Sequence, residues 1–264
     1  MTAGVAWTAA GRDKEVWLEM AQSVSDLHGI TERIGAVASA TDATELLNTI
    51  VKAYGLETAA FLTVRPVYEE PSQPFYVTTY SPDWVKRYID KRFFDIDPVL
   101  LDGLRAVTLV DWKEIDLSDK SVRTFFGEAR EHGVGKHGVT IPVRGADGER
   151  GILSVTSNEN AAGWQAFLKS HVRDFQPLAG ELHNAIRRIQ GRPLHPTACS
   201  DREIECLKWY ARGEKVKRTA EILSLSPRTV RFHLDLARAK LGAKSLTHAV
   251  AIATELGLFF QKLF

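Results

Sequence analysis

The sequence predicts an α+β protein in two parts: an N-terminal α/β/α sandwich built on an antiparallel sheet, then a C-terminal four-helix helix-turn-helix domain. Three observations predict it. Residues 138–144 and 151–157 are apolar runs that meet at a Gly/Asp turn, 145–149, and read as a β-hairpin. Helical apolar spacing lies on both sides of that hairpin and of further strands. Residues 197–264 carry cap, stripe and stop signals dense enough for four short helices, the middle pair joined by a three-residue turn.

In chain order, residues 1–29 are a leader containing Trp7 and Trp17, with a short helix expected at 15–27. From 30 to 54, Ile34, Val37, Leu46, Leu47, Ile50, Val51 and Tyr54 recur at helical spacing; Asp42 to Glu45 reads as a capping box, and Gly55 stops the helix. Strands are expected at 59–65 and 75–80, around a loop rich in proline (Pro66, Pro71, Pro74). Pro82 opens a helix carrying Trp84, Val85, Tyr88 and Ile89, and Pro98 after Asp97 opens another. An extended piece at 107–110 precedes Trp112, and 122–131 is helical. After the hairpin, 164–189 is a long amphipathic helix with Phe167, Leu168, Val172, Phe175, Leu178, Leu182, Ile186 and Ile189 on one side. A sandwich of this size, residues 30–190, is large enough to enclose a small molecule within its core. Gly191, Pro193 and Pro196 mark 191–196 as a linker.

Beyond the linker, Ser200 and Glu203 form a capping box, Ile204, Leu207 and Ala211 give a buried stripe, and Gly213 terminates it. A short helix follows at 216–223. The best-marked helix runs from Ser226, an N-cap, through Pro227 at the first helical position, to Gly242 just past its end. Val230, Leu234, Ala237 and Leu241 make its buried stripe. Arg228, Thr229, Arg231 and His233 crowd its first two turns, which suits a helix that reads a DNA groove as well as it suits a solvated surface helix. Ser245 caps a fourth helix, 246–256.

Composition narrows the function classes. Residues 197–264 hold 12 Lys+Arg against 7 Asp+Glu, a net of +5, whereas 1–196 hold 22 against 26, a net of −4. The basic quarter is the one expected to meet nucleic acid. No apolar run approaches the roughly 18 residues of a membrane span, and the N-terminus lacks a secretory pattern, so a cytoplasmic protein is expected. Cys199 and Cys206 have no companion His/Cys cluster at metal spacing, so neither metal nor cofactor is expected. The sequence has no Gly-x-Ser-x-Gly elbow, His-rich metal motif or phosphate loop, which argues against an enzyme. An antiparallel hairpin without an acidic cluster at strand ends argues against a phospho-receiver domain.

The set Ser200-Asp201-Arg202-Glu203, Leu207, Ala211-Arg212-Gly213, Ala220, Ser226 to Val230, His233, Lys240-Leu241-Gly242 and Ala249-Val250 resembles the DNA-binding domain of LuxR-type regulators. Lys215, Arg218 and Thr219 depart from the family's usual second helix and make it more basic. Tyr80, Trp84, Tyr88, Asp97-Pro98, Trp112, 138–142 and Ser154 resemble, in order and spacing, the autoinducer-binding domain of quorum-sensing LuxR proteins.

The resemblance implies an N-acyl-homoserine lactone as effector, held by Tyr80, Trp84, Tyr88, Asp97, Trp112 and Ser154. The Trp84 indole N–H goes to the lactone carbonyl, the Asp97 carboxylate to the ligand N–H, and the Tyr80 hydroxyl with Ser154 to the acyl carbonyl; Tyr88 and Trp112 wall the ring. It further implies a homodimer on palindromic double-stranded promoter DNA, with Arg228, Thr229 and Arg231 near base edges, Lys215, Lys217 and Arg218 toward phosphates, His233 also among the DNA-binding residues, and RNA polymerase as a partner. Read singly, each position has a plainer meaning: Asp97 is also an ordinary N-cap, Trp84 and Tyr88 ordinary core. A regulator with the same DNA domain and a different small molecule is the alternative.

Overall fold

The computed structural model describes residues 29–64, 74–145, 148–191 and 199–260, in two compact units. The helix expected at 15–27, Pro66 and Pro71 of the loop, and most of the linker lie outside the described residues.

In the first unit, α1 (residues 29–35) and α2 (Ala40–Ala53) replace the single helix expected from 30 to 54. The chain breaks because Ser39, not Asp42, is the N-cap. Ser39 is extended and its hydroxyl accepts from the Asp42 N–H at 3.1 Å, while the Asp42 carboxylate reaches back to accept from the Ala38 N–H at 3.0 Å. The cap therefore sits one turn earlier than the sequence pattern suggests, and the Asp42 side chain bonds the residue before the N-cap, so no reciprocal box forms.

Five strands follow: β1 (Thr58–Val64), β2 (Phe75–Thr78), β3 (Val110–Asp111), β4 (His137–Arg144) and β5 (Arg150–Ser157). They form one sheet in the order β2-β1-β5-β4-β3, with β1–β2 and β3–β4 antiparallel; Val110 pairs with Thr140 and Asp111 with Val139. The extended piece expected at 107–110 is a two-residue strand at its far end. The helices are α3 (Pro82–Asp90), α4 (Pro98–Arg105), α5 (Lys120–Glu131) and α6 (Ala161–Ile189). The last starts three residues before the expected Trp164, because Asn160 caps it through the N–H groups of Ala162 and Gly163.

Strand alternation gives the sheet two different faces. Phe61, Val139, Ile141, Val143, Leu153 and Val155 point to a core shared with α2 and α6. The intervening Thr140, Ile152 and Ser154 are buried on the other face, where a Cβ on Gly103 of α4 would meet Thr140 and Ile152. This second face is more polar, and an aromatic cluster covers it.

The second unit contains α7 (Asp201–Ala211), α8 (Val216–Leu223), α9 (Pro227–Lys240) and α10 (Leu246–Glu255). The Ser200–Glu203 box forms as expected. Its stripe differs: Cys206 and Leu207 are buried with Glu203, whereas Ala211 is exposed at the helix end. The Glu203 carboxylate accepts from the Ser200 N–H at 2.8 Å and from Lys240 Nζ at 2.9 Å, tying the start of α7 to the end of α9. Burial pushes its pKa up, but those donors outweigh burial and hold it below the ordinary carboxylate range. Val230, Leu234 and Ala237 are buried on α9, as the stripe predicts.

Candidate ligand pocket and nucleic-acid interface

Ser81 caps α3 by accepting the Trp84 N–H at 3.2 Å, and Pro82 stands in its first turn. The spacing of Trp84 and Tyr88 then places both on one face, four residues apart. Trp84 is only 2% exposed and packs against Phe93, Phe125, His132 and Tyr88, with ring centroids 5.4 to 6.0 Å apart. Tyr80, Tyr88 and Trp112 border the same cluster. The Trp84 indole N–H and the Tyr80 hydroxyl belong to this lining, Trp84 buried and Tyr80 half-buried. An indole N–H and a phenol hydroxyl at one aromatic lining suit a ligand that carries carbonyls.

Asp97, expected as a ligand contact, is the N-cap of α4. Its Oδ1 accepts from the N–H groups of Val99 at 2.8 Å and Leu100 at 3.3 Å, and its Oδ2 accepts from the Tyr88 hydroxyl at 2.8 Å. Tyr88, expected only as a wall, thus also holds the carboxylate in place. Burial raises the Asp97 pKa to about 6, against three hydrogen bonds that lower it, and the Tyr88 and Tyr80 hydroxyls are pushed up by burial and by the charge on Asp97.

That shift has a sign. The folded state holds the Asp97 proton more tightly than the unfolded chain, whose value is near 3.8, so unfolding free energy falls as pH rises from about 4 to about 6 and then levels off. The expected size is about 3 kcal/mol, from two pKa units at 1.36 kcal/mol each. Urea titrations of ligand-free wild type and Asp97→Asn across this range should diverge in this direction; parallel curves would contradict it.

Trp112 comes from a single 3₁₀ turn (Trp112–Glu114) after β3, which Asp111 caps by accepting the Lys113 N–H. Its indole N–H donates to Thr140 Oγ1 at 2.9 Å, and Thr140 Oγ1 lies 2.9 Å from Ser154 Oγ. Ser154 and Trp112 are therefore joined through Thr140, which the sequence reading missed. A Thr in mid-strand carries no signal of its own; the pairing of β3, β4 and β5 brings the three together. A Cβ on Gly138 would overlap the Trp112 indole, so the ring needs glycine there.

In the second unit, Arg228 and Arg231 are exposed on α9, and Lys215, Lys217 and Arg218 are exposed at the start of α8. Arg218 is ion-paired with Glu221 at 2.9 Å. Lys215 occupies the N-cap of α8 without a side-chain cap. The Thr229 hydroxyl lies 2.8 Å from Ser226 Oγ, within the α9 cap. His233 is half-buried beside the Val230–Leu234 stripe, with Nδ1 turned inward and without a partner, not among the exposed arginines. Among the described residues no helix is long and apolar enough to cross a membrane, and no His/Cys/Asp/Glu group could hold a metal ion.

Residues 39–186 match the model of the autoinducer binding domain, and 198–253 match that of the bacterial regulatory proteins of the luxR family. The chain is 40% identical over 172 residues to the transcriptional activator protein RaiR of Rhizobium etli, covering 64% of this chain and 71% of RaiR. It is 33% identical over 183 residues to the quorum-sensing regulator RhlR of Pseudomonas aeruginosa, covering 68% and 74%. The crystal structure of Escherichia coli SdiA shares the fold with a TM-score of 0.65 at 24% identity, covering 90% of this chain and 99% of SdiA.

Proposed function

The chain belongs to the LuxR family of quorum-sensing transcriptional regulators, with an autoinducer-binding domain followed by a LuxR-type DNA-binding domain, and on that premise we propose that an N-acyl-homoserine lactone bound in the first governs promoter binding by the second. The sensing domain spans 30–190 and the DNA-binding domain 197–264. The protein acts in the cytoplasm as a homodimer on a palindromic site, with RNA polymerase as partner; it carries out no chemical step.

One observation supports the ligand class above others: two donors, the Trp84 N–H and the Tyr80 hydroxyl, belong to an aromatic cluster whose Tyr88 hydrogen-bonds the buried acceptor Asp97. An acyl-homoserine lactone has the complement, two carbonyls and one N–H on an otherwise apolar body. Trp84 donates to the lactone carbonyl, Tyr80 to the acyl carbonyl, and Asp97 accepts the amide N–H. Tyr88 and Trp112 wall the ring, and Ser154 acts with Thr140 beside the acyl carbonyl. Because the ligand completes a core, it stabilises the fold by RT ln(1 + [L]/Kd), about 2.7 kcal/mol at a hundredfold excess over Kd.

Trp84→Phe keeps the ring and deletes the N–H. Calorimetric titration with N-acyl-homoserine lactones should show affinity reduced by roughly 10- to 100-fold, the worth of one buried hydrogen bond. Undiminished affinity would sink this pose. On DNA, Arg228, Thr229 and Arg231 serve base edges and Lys215, Lys217 and Arg218 phosphates, with His233 supporting the helix from its inner side. Operator affinity should therefore fall steeply with salt, and the slope should flatten by about one for each phosphate-contacting lysine replaced by alanine. A slope indifferent to Lys215→Ala and Lys217→Ala would remove those residues from the interface.

A further inference from the structure

The exposed side of α9 is not uniformly basic. Between Arg231 and Asp235 stands Phe232, 58% exposed; among the described residues of the second unit, the other exposed large apolar side chain is Phe260, 86% exposed. Phe232 contacts the His233 ring at 5.8 Å and lies outside the buried set that holds the four helices together. Its neighbours one turn before and beside it, Arg228 and Arg231, are exposed as well, so the three share the face opposite Val230, Leu234 and Ala237.

A phenyl group on a groove-reading face cannot pair with a phosphate and has no hydrogen bond to offer a base edge. The major groove presents one apolar group, the 5-methyl of thymine. We propose that Phe232 is a specificity-determining residue that packs on a thymine methyl in each half-site, while the flanking arginines supply hydrogen bonds and charge. This rests on the reading of α9 as the groove helix. It predicts a half-site with a required thymine that no hydrogen-bonding side chain specifies.

The test uses the full-length protein purified from cells grown with N-acyl-homoserine lactones, and a duplex that it selects from a randomised pool. Each thymine of that duplex is replaced in turn by deoxyuridine, which removes the methyl and keeps the hydrogen-bonding edges. One position per half-site should weaken wild-type binding by about fourfold, the worth of one buried methyl-sized group. Phe232→Ala should bind the parent duplex more weakly by a similar factor, be indifferent to deoxyuridine there, and bind random duplex as wild type does; Phe232→Leu should keep part of the methyl dependence. Wild-type binding unaffected by deoxyuridine at every thymine would overturn the proposal, as would a Phe232→Ala protein with full methyl sensitivity. Failure of the wild type to select any duplex would overturn the DNA-binding reading along with it, a result distinguishable from the other two.

Discussion

Asp97→Asn should lower lactone affinity by at least about 100-fold while leaving the ligand-free protein as stable as wild type, or more stable, at neutral pH. The amide oxygen of asparagine can still accept from Val99 and Leu100, so the α4 cap survives. The amide nitrogen turned toward Tyr88 can donate to the phenol oxygen, and the buried charge is gone. What is lost is the acceptor for the ligand N–H, replaced by a second donor facing it; a hydrogen bond to a charged group is worth about 1.5–3 kcal/mol, and the unpaired donors add to the penalty. Stability and affinity thus move in opposite directions, which a merely structural role for Asp97 does not produce. Denaturant titration without ligand and calorimetry with it measure the two arms; equal affinity in the variant would remove Asp97 from the ligand contacts.

Gly138→Ala should destabilise the first unit by about 1–3 kcal/mol, as overpacking of a filled core does, and reduce lactone affinity with it. The added methyl overlaps the Trp112 indole, so the ring must leave its place. That motion breaks its 2.9 Å bond to Thr140 and frees the Thr140–Ser154 pair. Gly138 has no positive φ, so the cost is steric and not conformational. Strong coupling is therefore expected: in a Trp112→Ala background the same Gly138→Ala change should cost little. Additive effects in a double-mutant cycle would mean that the indole does not set the limit.

The parts of this molecule legible in its sequence are those written in local chemistry. The caps at Asp97, Ser200, Ser226 and Ser245 each need only a side-chain oxygen and an N–H two or three residues on, and all four form. Where two local solutions compete, as at Ser39 and Asp42, residue type alone does not choose between them, and the structure takes Ser39 as the cap while Asp42 bonds the Ala38 N–H. The limits of the Ile204 stripe were missed because a helix of 11 residues does not define its buried face at its last turn, where Ala211 emerges into solvent. The candidate pocket divides the same way. Trp84 and Tyr88 are neighbours by helical spacing, and Asp97 is placed by its own cap. The Tyr88–Asp97 bond and the Trp112–Thr140–Ser154 chain depend on how α3 meets α4 and on strand register, and those are set by tertiary packing that no short pattern encodes.

The central claim is that the aromatic cluster around Trp84 and Asp97 is an acyl-homoserine lactone site. The most direct test is mass spectrometry of the full-length protein purified from cells supplied with lactones of short, medium and long acyl chain, wild type beside Asp97→Asn. The account predicts that wild type retains one chain-length class near one equivalent and that the variant retains far less. Wild type free of any lactone, or both proteins retaining equal amounts, would contradict it.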